Sequence, residues 1–357
     1  MSRTLAIAFV VVVALKAAIS PTKHTVYIEY TEAGQDIWRQ EPIGFVAQQY
    51  LPFFSIALTP FAALPDRIGC PLWVVLSLAV YLTGLRAFHR AFLPTTSWPI
   101  FLLVGCSVGL SSLWNQQANT VIIGSLLWGT VAVRQERWWL AAVCLGLPSF
   151  KVYPLALGMV LSVLHPRLAW HLALVVIGLV LVPFVLMSPS DALTRYYWIA
   201  EYAAEGLHSL RFTLVGVREL LGHHGIEMSF GRYFAVQAVT GALILLVLLL
   251  NRQDAERRAF VMVSLWFVTF GPSVEAPTYL LAAPALGLLL VDTRQRESWI
   301  AFGFVLGTII LVGPCQTSLF GRDFQRWLAL TRPGCVVLLM AFLWQLSVRL
   351  HNRERGV

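Results

Sequence analysis

Charge is scarce in this chain. Only 12% of its 357 residues are Asp, Glu, Lys or Arg, about half the share of an ordinary soluble domain, and that excludes a water-soluble globular fold. Cysteine is scarce too. Cys70, Cys106, Cys144, Cys315 and Cys335 lie in or beside apolar runs at no spacing that a metal site uses, and they read as small buried residues. No internal repeat, low-complexity tract or soluble domain is visible. The expectation is a single membrane-embedded domain over residues 1–357.

Apolar sequence fills the chain instead: 58% of residues are hydrophobic, and the mean hydropathy is +0.72. Helices satisfy their own backbone groups in lipid, so the sequence predicts an all-α polytopic membrane protein. Candidate spans cover roughly 4–20, 70–88, 97–113, 119–133, 138–149, 152–164, 168–188, 233–250, 258–271, 277–291, 298–313 and 333–350, on the order of 11–13 transmembrane helices. A full crossing needs about 20 residues. The runs 138–149 and 152–164 fall short and read as half-helices that meet at Ser149-Phe150-Lys151. The run 45–64 carries Pro52 and Pro60 and fits a re-entrant or interfacial segment. The first run, after Met1-Ser2-Arg3, reads as a retained helix in preference to a cleaved signal peptide.

The few charges are sorted by sign. With Arg3 inside, the cytoplasmic breaks collect Arg86, Arg90, Arg134, Arg137, Arg167, Arg252, Arg257, Arg258, Arg294 and Arg296. Most acids fall on the outer side, so the positive-inside rule puts both termini in the cytoplasm, as in a bacterial plasma membrane. The net charge of +8 then implies contact with anionic lipid and gives no reason to invoke nucleic acid. The large outer loops are about 21–69 and 189–232, with shorter breaks at 114–118, 272–277 and 314–332.

Chemistry is expected on that outer side. Glu29, Glu32 and Asp36 follow the first span at i, i+3 and i+7, so a helix would put them on one face. They are either a solvated stripe or a source of a general base. Lys151, in Pro148-Ser149-Phe150-Lys151-Val152-Tyr153-Pro154, has apolar sequence on both sides. A lysine at a helix centre costs about 2.5–3.5 kcal/mol on insertion scales, so it either snorkels to the interface or has a partner such as a phosphate. Gln117 and Asn119 open a span; their amides suit sugar hydroxyls, and Asn119 also suits a helix N-cap. Arg211 offers a fork for phosphate, and Glu275, ahead of Ala276-Pro277, is a further outer acid for an acceptor. His223-His224 is a weak metal signal that no nearby ligand completes. An enzyme facing outward has no nucleotide sugar to draw on, so a lipid-linked donor is the natural choice.

The order Tyr30-x-x-Ala33-Gly34, Tyr50-Leu51-Pro52, Pro60, Leu64-Pro65, Trp73, Gln117-x-Asn119, Lys151-x-Tyr153-Pro154 and Ser209-Leu210-Arg211 resembles glycosyltransferase family 87. These are polyprenyl-phosphate-mannose-dependent α-mannosyltransferases of the GT-C type, and the resemblance covers about residues 24–290. It implies a bundle of transmembrane helices with its active site on the non-cytoplasmic face. The implied reaction moves a sugar, mannose by expectation, from a polyprenyl phosphate to a lipid or glycan acceptor, with inversion. Glu29, Asp36 or Glu32 would be the base, Lys151 and Arg211 would hold the donor phosphate, and Gln117, Asn119, Tyr30, Tyr50, Tyr153 and Glu275 would bind sugar or acceptor. Phosphate leaves readily once its charge is paired, so no metal or other cofactor is expected. Two departures stand out. The family's aspartate four residues before Tyr30 is Val26 here, and the glycine before Gln-x-Asn is Gln116. A non-catalytic scaffold and a lipid or solute transporter are the alternatives. A transporter is expected to show inverted repeats.

Overall fold

The computed structural model describes residues 2–23, 25–39, 50–94, 98–208, 215–271, 274–295, 297–317 and 321–354, and every regular element among them is helical. The chain begins with α1 (Ser2–Ile19), then α2 (Tyr27–Arg39), α3 (Pro52–Ala62), α4 (Asp66–Phe92), α5 (Trp98–Trp114) and α6 (Asn119–Arg134). A broken hairpin follows: α7 (Trp138–Gly146), a 3-10 turn at Leu147–Lys151, and α8 (Leu155–Leu164). Next come α9 (Pro166–Leu186), α10 (Pro189–His208), α11 (Val217–His223), α12 (Phe230–Leu250) and α13 (Ala255–Phe270). A 3-10 segment, Ala276–Ala282, leads into α14 (Ala283–Gln295), and α15 (Trp299–Val312), α16 (Arg322–Thr331) and α17 (Pro333–Glu354) complete the fold.

Among the described residues, five helical stretches are long and apolar enough to cross a membrane: Asp66–Phe92, Pro166–Leu186, Gly231–Leu250, Ala276–Gln295 and Trp299–Gln316. Eighteen residues at 1.5 Å each reach about 27 Å, close to the hydrocarbon thickness. The rest of the apolar helices are shorter, α5 and α8 among them. On α9 the side chains of Leu174, Ile177, Leu181 and Val185 are exposed, as a lipid-facing surface requires.

Small residues set the closest approaches. Where α4 crosses α6, a Cβ on Gly84 would stand 2.5 Å from the Gly124 carbonyl oxygen, so the two backbones touch. Such glycine contacts let membrane helices pack where no hydrophobic force drives them together. Gly34 plays the same part between α2 and α3, since a Cβ there would meet the Ala62 Cβ at 3.0 Å.

The half-helix expectation for 138–164 is realised by α7 and α8, which meet around Lys151. Of the run 45–64, α3 covers Pro52–Ala62 with Pro60 inside it, and residues 45–49 lie outside the described residues. The stretches expected as outer loops hold helices: α2 and α3 in the first, α10 and α11 in the second. The physical reason is amphipathic patterning: on α2, Tyr27, Tyr30 and Ala33 are buried while Glu32 is exposed. On α10 Arg195 is buried while Leu193 and Tyr197 stand exposed.

The bundle has two distinct ends. At one, polar contacts join helix termini: the ion pairs Arg134–Asp254 at 2.9 Å and Arg257–Asp292 at 2.5 Å, and a His165–Glu256 contact at 3.0 Å. Helix α6 runs from Asn119 to Arg134, a rise of about 22 Å, and the 3-10 segment with α14 spans the same interval from Glu275 to Asp292. Asn119 and Glu275 therefore sit together at the other end.

Candidate active site

At that other end a chain of polar contacts joins three separate segments. Lys151 Nζ donates to Asn119 Oδ1 at 3.0 Å. Asn119 Nδ2 donates to Gln117 Oε1 at 2.7 Å, and Gln117 Nε2 donates to Glu275 Oε2 at 3.4 Å. Asn119 is wholly buried and Gln117 nearly so, so neither amide group meets bulk water, and each polar atom depends on these partners. Lys151 is thus turned inward and does not snorkel. Asn119 does not cap α6 either: the cap position is Ala118, in helical conformation with no side-chain bond, and Asn119 is the first helical residue.

Each segment is fixed by its own backbone. Val152, next to Lys151, has φ of +42°, a region β-branched residues rarely enter. The Leu51 N–H donates to the Phe150 carbonyl at 3.0 Å, tying the turn to the start of α3. Glu275 lies at the N-terminus of the Ala276–Ala282 segment, where the Thr278 hydroxyl accepts its backbone N–H at 3.3 Å.

An aromatic wall stands beside this polar chain. Lys151 Nζ sits 5.4 Å from the Tyr50 ring centroid, within reach of a cation–π attraction. The Tyr50 hydroxyl faces the Tyr30 hydroxyl at 3.5 Å, and Tyr30 accepts the Ala118 N–H at 2.9 Å. Phe54 stacks on Phe150 with centroids 4.1 Å apart, and Tyr30 meets Phe54 and Trp73 edge-on. Tyr153, on the turn after Lys151, packs against Phe267 at 5.6 Å.

The three acids of α2 take three different surroundings. Glu29 is half-buried; burial pushes its carboxyl above the usual range, and the charges of Glu275 and Glu32 push it the same way. Glu32 is exposed. Asp36 turns its charge toward Arg195 of α10. Of the three, Glu29 feels the charge of Glu275 at the end of the polar chain, so the single acidic face expected of α2 divides into one half-buried group, one solvated group and one whose charge acts on Arg195. Arg211 lies outside the described residues. His223 and His224 have rings 5.5 Å apart, and no group of three or more metal-ligating residues occurs among the described residues.

Sequence reasoning passed over two participants. Arg195 is buried on α10; its only sequence signal is a lone arginine in an aromatic-rich outer segment. Gln116 is the other. Its φ is +58°, the left-handed conformation that glycine adopts most readily, in keeping with the glycine that the resemblance leads one to expect at this position. Here the side chain is used as a strut: Thr25 Oγ1 and Cys70 Sγ both donate to its Oε1, at 2.5 and 2.9 Å, and Trp73 Nε1 donates to its carbonyl at 3.0 Å. The Val26 N–H donates to the neighbouring Asn115 carbonyl at 3.1 Å. The two departures from the family pattern are therefore structural neighbours.

A helical membrane protein with a cation, two buried amides and two carboxylates gathered at one end of its bundle has the makings of a membrane enzyme acting on a polar group at the bilayer surface. The chain belongs to glycosyltransferase family 87, whose model matches residues 48–284, and it is a membrane glycosyltransferase. The match begins after α2, so Tyr50, Gln117, Asn119, Lys151 and Glu275 fall within it and Glu29, Tyr30, Glu32 and Asp36 do not. No curated protein and no solved structure matches the chain.

Proposed function

We propose that the enzyme transfers mannose from a polyprenyl phosphate to a hydroxyl of a lipid or glycan acceptor, with inversion, on the non-cytoplasmic face of a bacterial plasma membrane. The arginine-bearing end of the bundle is the cytoplasmic one by the positive-inside rule, which leaves the Lys151 end outside. Glu29 takes the proton from the acceptor hydroxyl, whose oxygen attacks the anomeric carbon. The bond from that carbon to the phosphate oxygen breaks, and its electron pair leaves with the polyprenyl phosphate. Lys151, joined by Arg211, stabilises the charge that develops on the phosphate. Gln117 and Asn119 orient the sugar, with Tyr30, Tyr50 and Tyr153 beside it and Glu275 at the acceptor side.

The observation that carries this reading is the Lys151–Asn119–Gln117–Glu275 chain. Among the described residues no carboxylate pairs directly with Lys151, which leaves its Nζ open to an anion, while the amides next to it are placed for hydroxyls. A raised Glu29 pKa suits a base, because proton transfer is most efficient when the pKa lies near the working pH. Binding of a fluorescent polyprenyl phosphate to the purified protein tests the phosphate role. Wild type is expected to bind at least tenfold tighter than Lys151→Met; equal affinities would remove Lys151 from the donor site.

A further inference from the structure

The segment that carries Glu275 is gripped from two sides. On one, the Val215 N–H donates to the Val274 carbonyl at 2.6 Å, which ties the residue before Glu275 to the root of α11. On the other, Tyr279 packs against the start of α17, where a Cβ on Gly334 would stand 3.0 Å from its hydroxyl oxygen. Val215, Val274 and Tyr279 are all buried. Glu275 reaches Gln117 over 3.4 Å, a long hydrogen bond that a small shift of this segment would break.

Two buried opposite charges span the grips. Glu219, on α11, is 6% exposed, and Arg332, two residues ahead of Gly334, is 5% exposed. The charge of Arg332 acts on Glu219, and α11 packs on α17. Glu219 Oε2 lies over Gly216, where a Cβ would meet it at 3.0 Å, so the carboxylate bears on the backbone that follows Val215. Burial pushes the Glu219 carboxyl above its usual range, while its own N–H, Arg218, Arg332 and the Gly216 N–H favour the charged form. Tyr233 of α12 and Cys335 of α17 are the other titratable groups that feel its charge. The Tyr233 hydroxyl donates to the Phe270 carbonyl at 3.0 Å, which brings the end of α13 into the same corner.

Capping α11 needs no burial, and a buried ion pair is weak evidence of added stability. What these charges do set is the distance between α11 and the α16–α17 corner, with the Glu275 segment held by both. We propose that Glu219 is a positioning residue for Glu275: drawn to Arg332, it closes α11 and the start of α17 on residues 274–279 and keeps the Glu275 carboxylate at Gln117. It acts through Glu275 and not on the substrate itself. Its consequence for catalysis rests on the transferase reading, in which Glu275 stands at the acceptor side.

Two measurements on the full-length protein in nanodiscs test this. The first, hydrogen–deuterium exchange read by mass spectrometry, needs no turnover. Glu219→Gln is expected to speed exchange over residues 274–279 by about tenfold and to leave residues 147–157, around Lys151, unchanged. Unchanged exchange over 274–279 overturns the proposal, as does an equal rise over both stretches, the mark of a generally loosened fold. The second is transfer from polyprenyl-phosphate-mannose by Glu219→Gln, Glu275→Gln and the double variant. Glu219→Gln should lower the rate about tenfold alone and less than about twofold in the Glu275→Gln background, because residues acting through one another are not additive. Equal losses in both backgrounds would show a merely structural role and overturn the proposal. Glu219→Gln also removes the charge that Arg332 faces, so Glu219→Asp serves as a second variant. It keeps that charge and withdraws the carboxylate from Gly216, and the same two effects are expected at roughly threefold. Wild type that transfers no sugar, with exchange responding as expected, would remove the transferase reading and uphold the positioning of the Glu275 segment.

Discussion

Lys151 Nζ and Asn119 Oδ1 lie 3.0 Å apart although 32 residues separate them in the chain. The contact joins the tip of the α7–α8 hairpin to the first residue of α6, and Asn119 passes it on to Gln117. A hydrogen bond to a charged group contributes about 1.5–3 kcal/mol. Asn119→Leu removes the acceptor that Lys151 uses and the donor that Gln117 uses. Transfer is expected to fall about 10- to 100-fold, with Asn119→Asp retaining more activity because it keeps an acceptor for Lys151. Steady-state transfer rates of the two variants in membranes check this.

The acids of α2 should separate by surroundings. Glu29→Gln is expected to lower transfer by roughly 100-fold or more, the range general-base catalysis contributes. Glu32→Gln, on an exposed side chain, should stay within about twofold of wild type, since surface changes seldom matter. Asp36→Asn loosens the attraction between α2 and Arg195 of α10 and should lower the thermal midpoint more than the rate.

The pH profile gives the sign of the Glu29 environment. A base works only when deprotonated, and burial together with Glu275 and Glu32 holds the Glu29 carboxyl above its ordinary value. The acid limb of the rate profile should therefore stand above the usual carboxylate range. Glu275→Gln removes one like charge and should move that limb to lower pH, while burial, the larger cause, keeps it above an exposed carboxylate. A limb that stays in place in Glu275→Gln would separate the two residues.

How much of this was legible beforehand depends on the kind of signal. The apolar runs became helices with ends close to those expected, because lipid demands internally satisfied backbone. The short runs 138–149 and 152–164 revealed the broken hairpin, because neither could cross alone. The residues of the polar chain were each visible as polar groups at apolar boundaries. Their connection was not, since Lys151, Asn119 and Glu275 belong to segments far apart in sequence. Asn119 taken alone read better as a cap, and the cap position of α6 at Ala118 together with the contact to Lys151 decides otherwise. Arg195 gave only the weak signal of a lone arginine among aromatics, and the strut formed by Gln116 depends on Thr25 and Cys70, which sequence spacing does not bring together.

Val152 offers a test of the hairpin turn. Its φ of +42° and ψ of −56° are those of a strained γ-turn, a sparsely populated conformation costing about 1–3 kcal/mol, and its side chain is exposed. Val152→Gly relieves that strain, offset in part by the greater freedom of glycine in the unfolded chain. A net gain of about 1 kcal/mol or less is expected, read as a higher unfolding midpoint in detergent.

The central claim is that Lys151 serves the departing phosphate of a lipid-linked sugar. The direct measurement is transfer of radiolabelled mannose from polyprenyl-phosphate-mannose in membranes containing wild type, Lys151→Met or no enzyme. The account predicts labelled product that depends on the protein and falls about 100- to 1,000-fold in Lys151→Met, the loss typical of removing one group that stabilises developing charge. Product formed at the wild-type rate by Lys151→Met, or no protein-dependent product with the enzyme inserted and the donor intact, would contradict it.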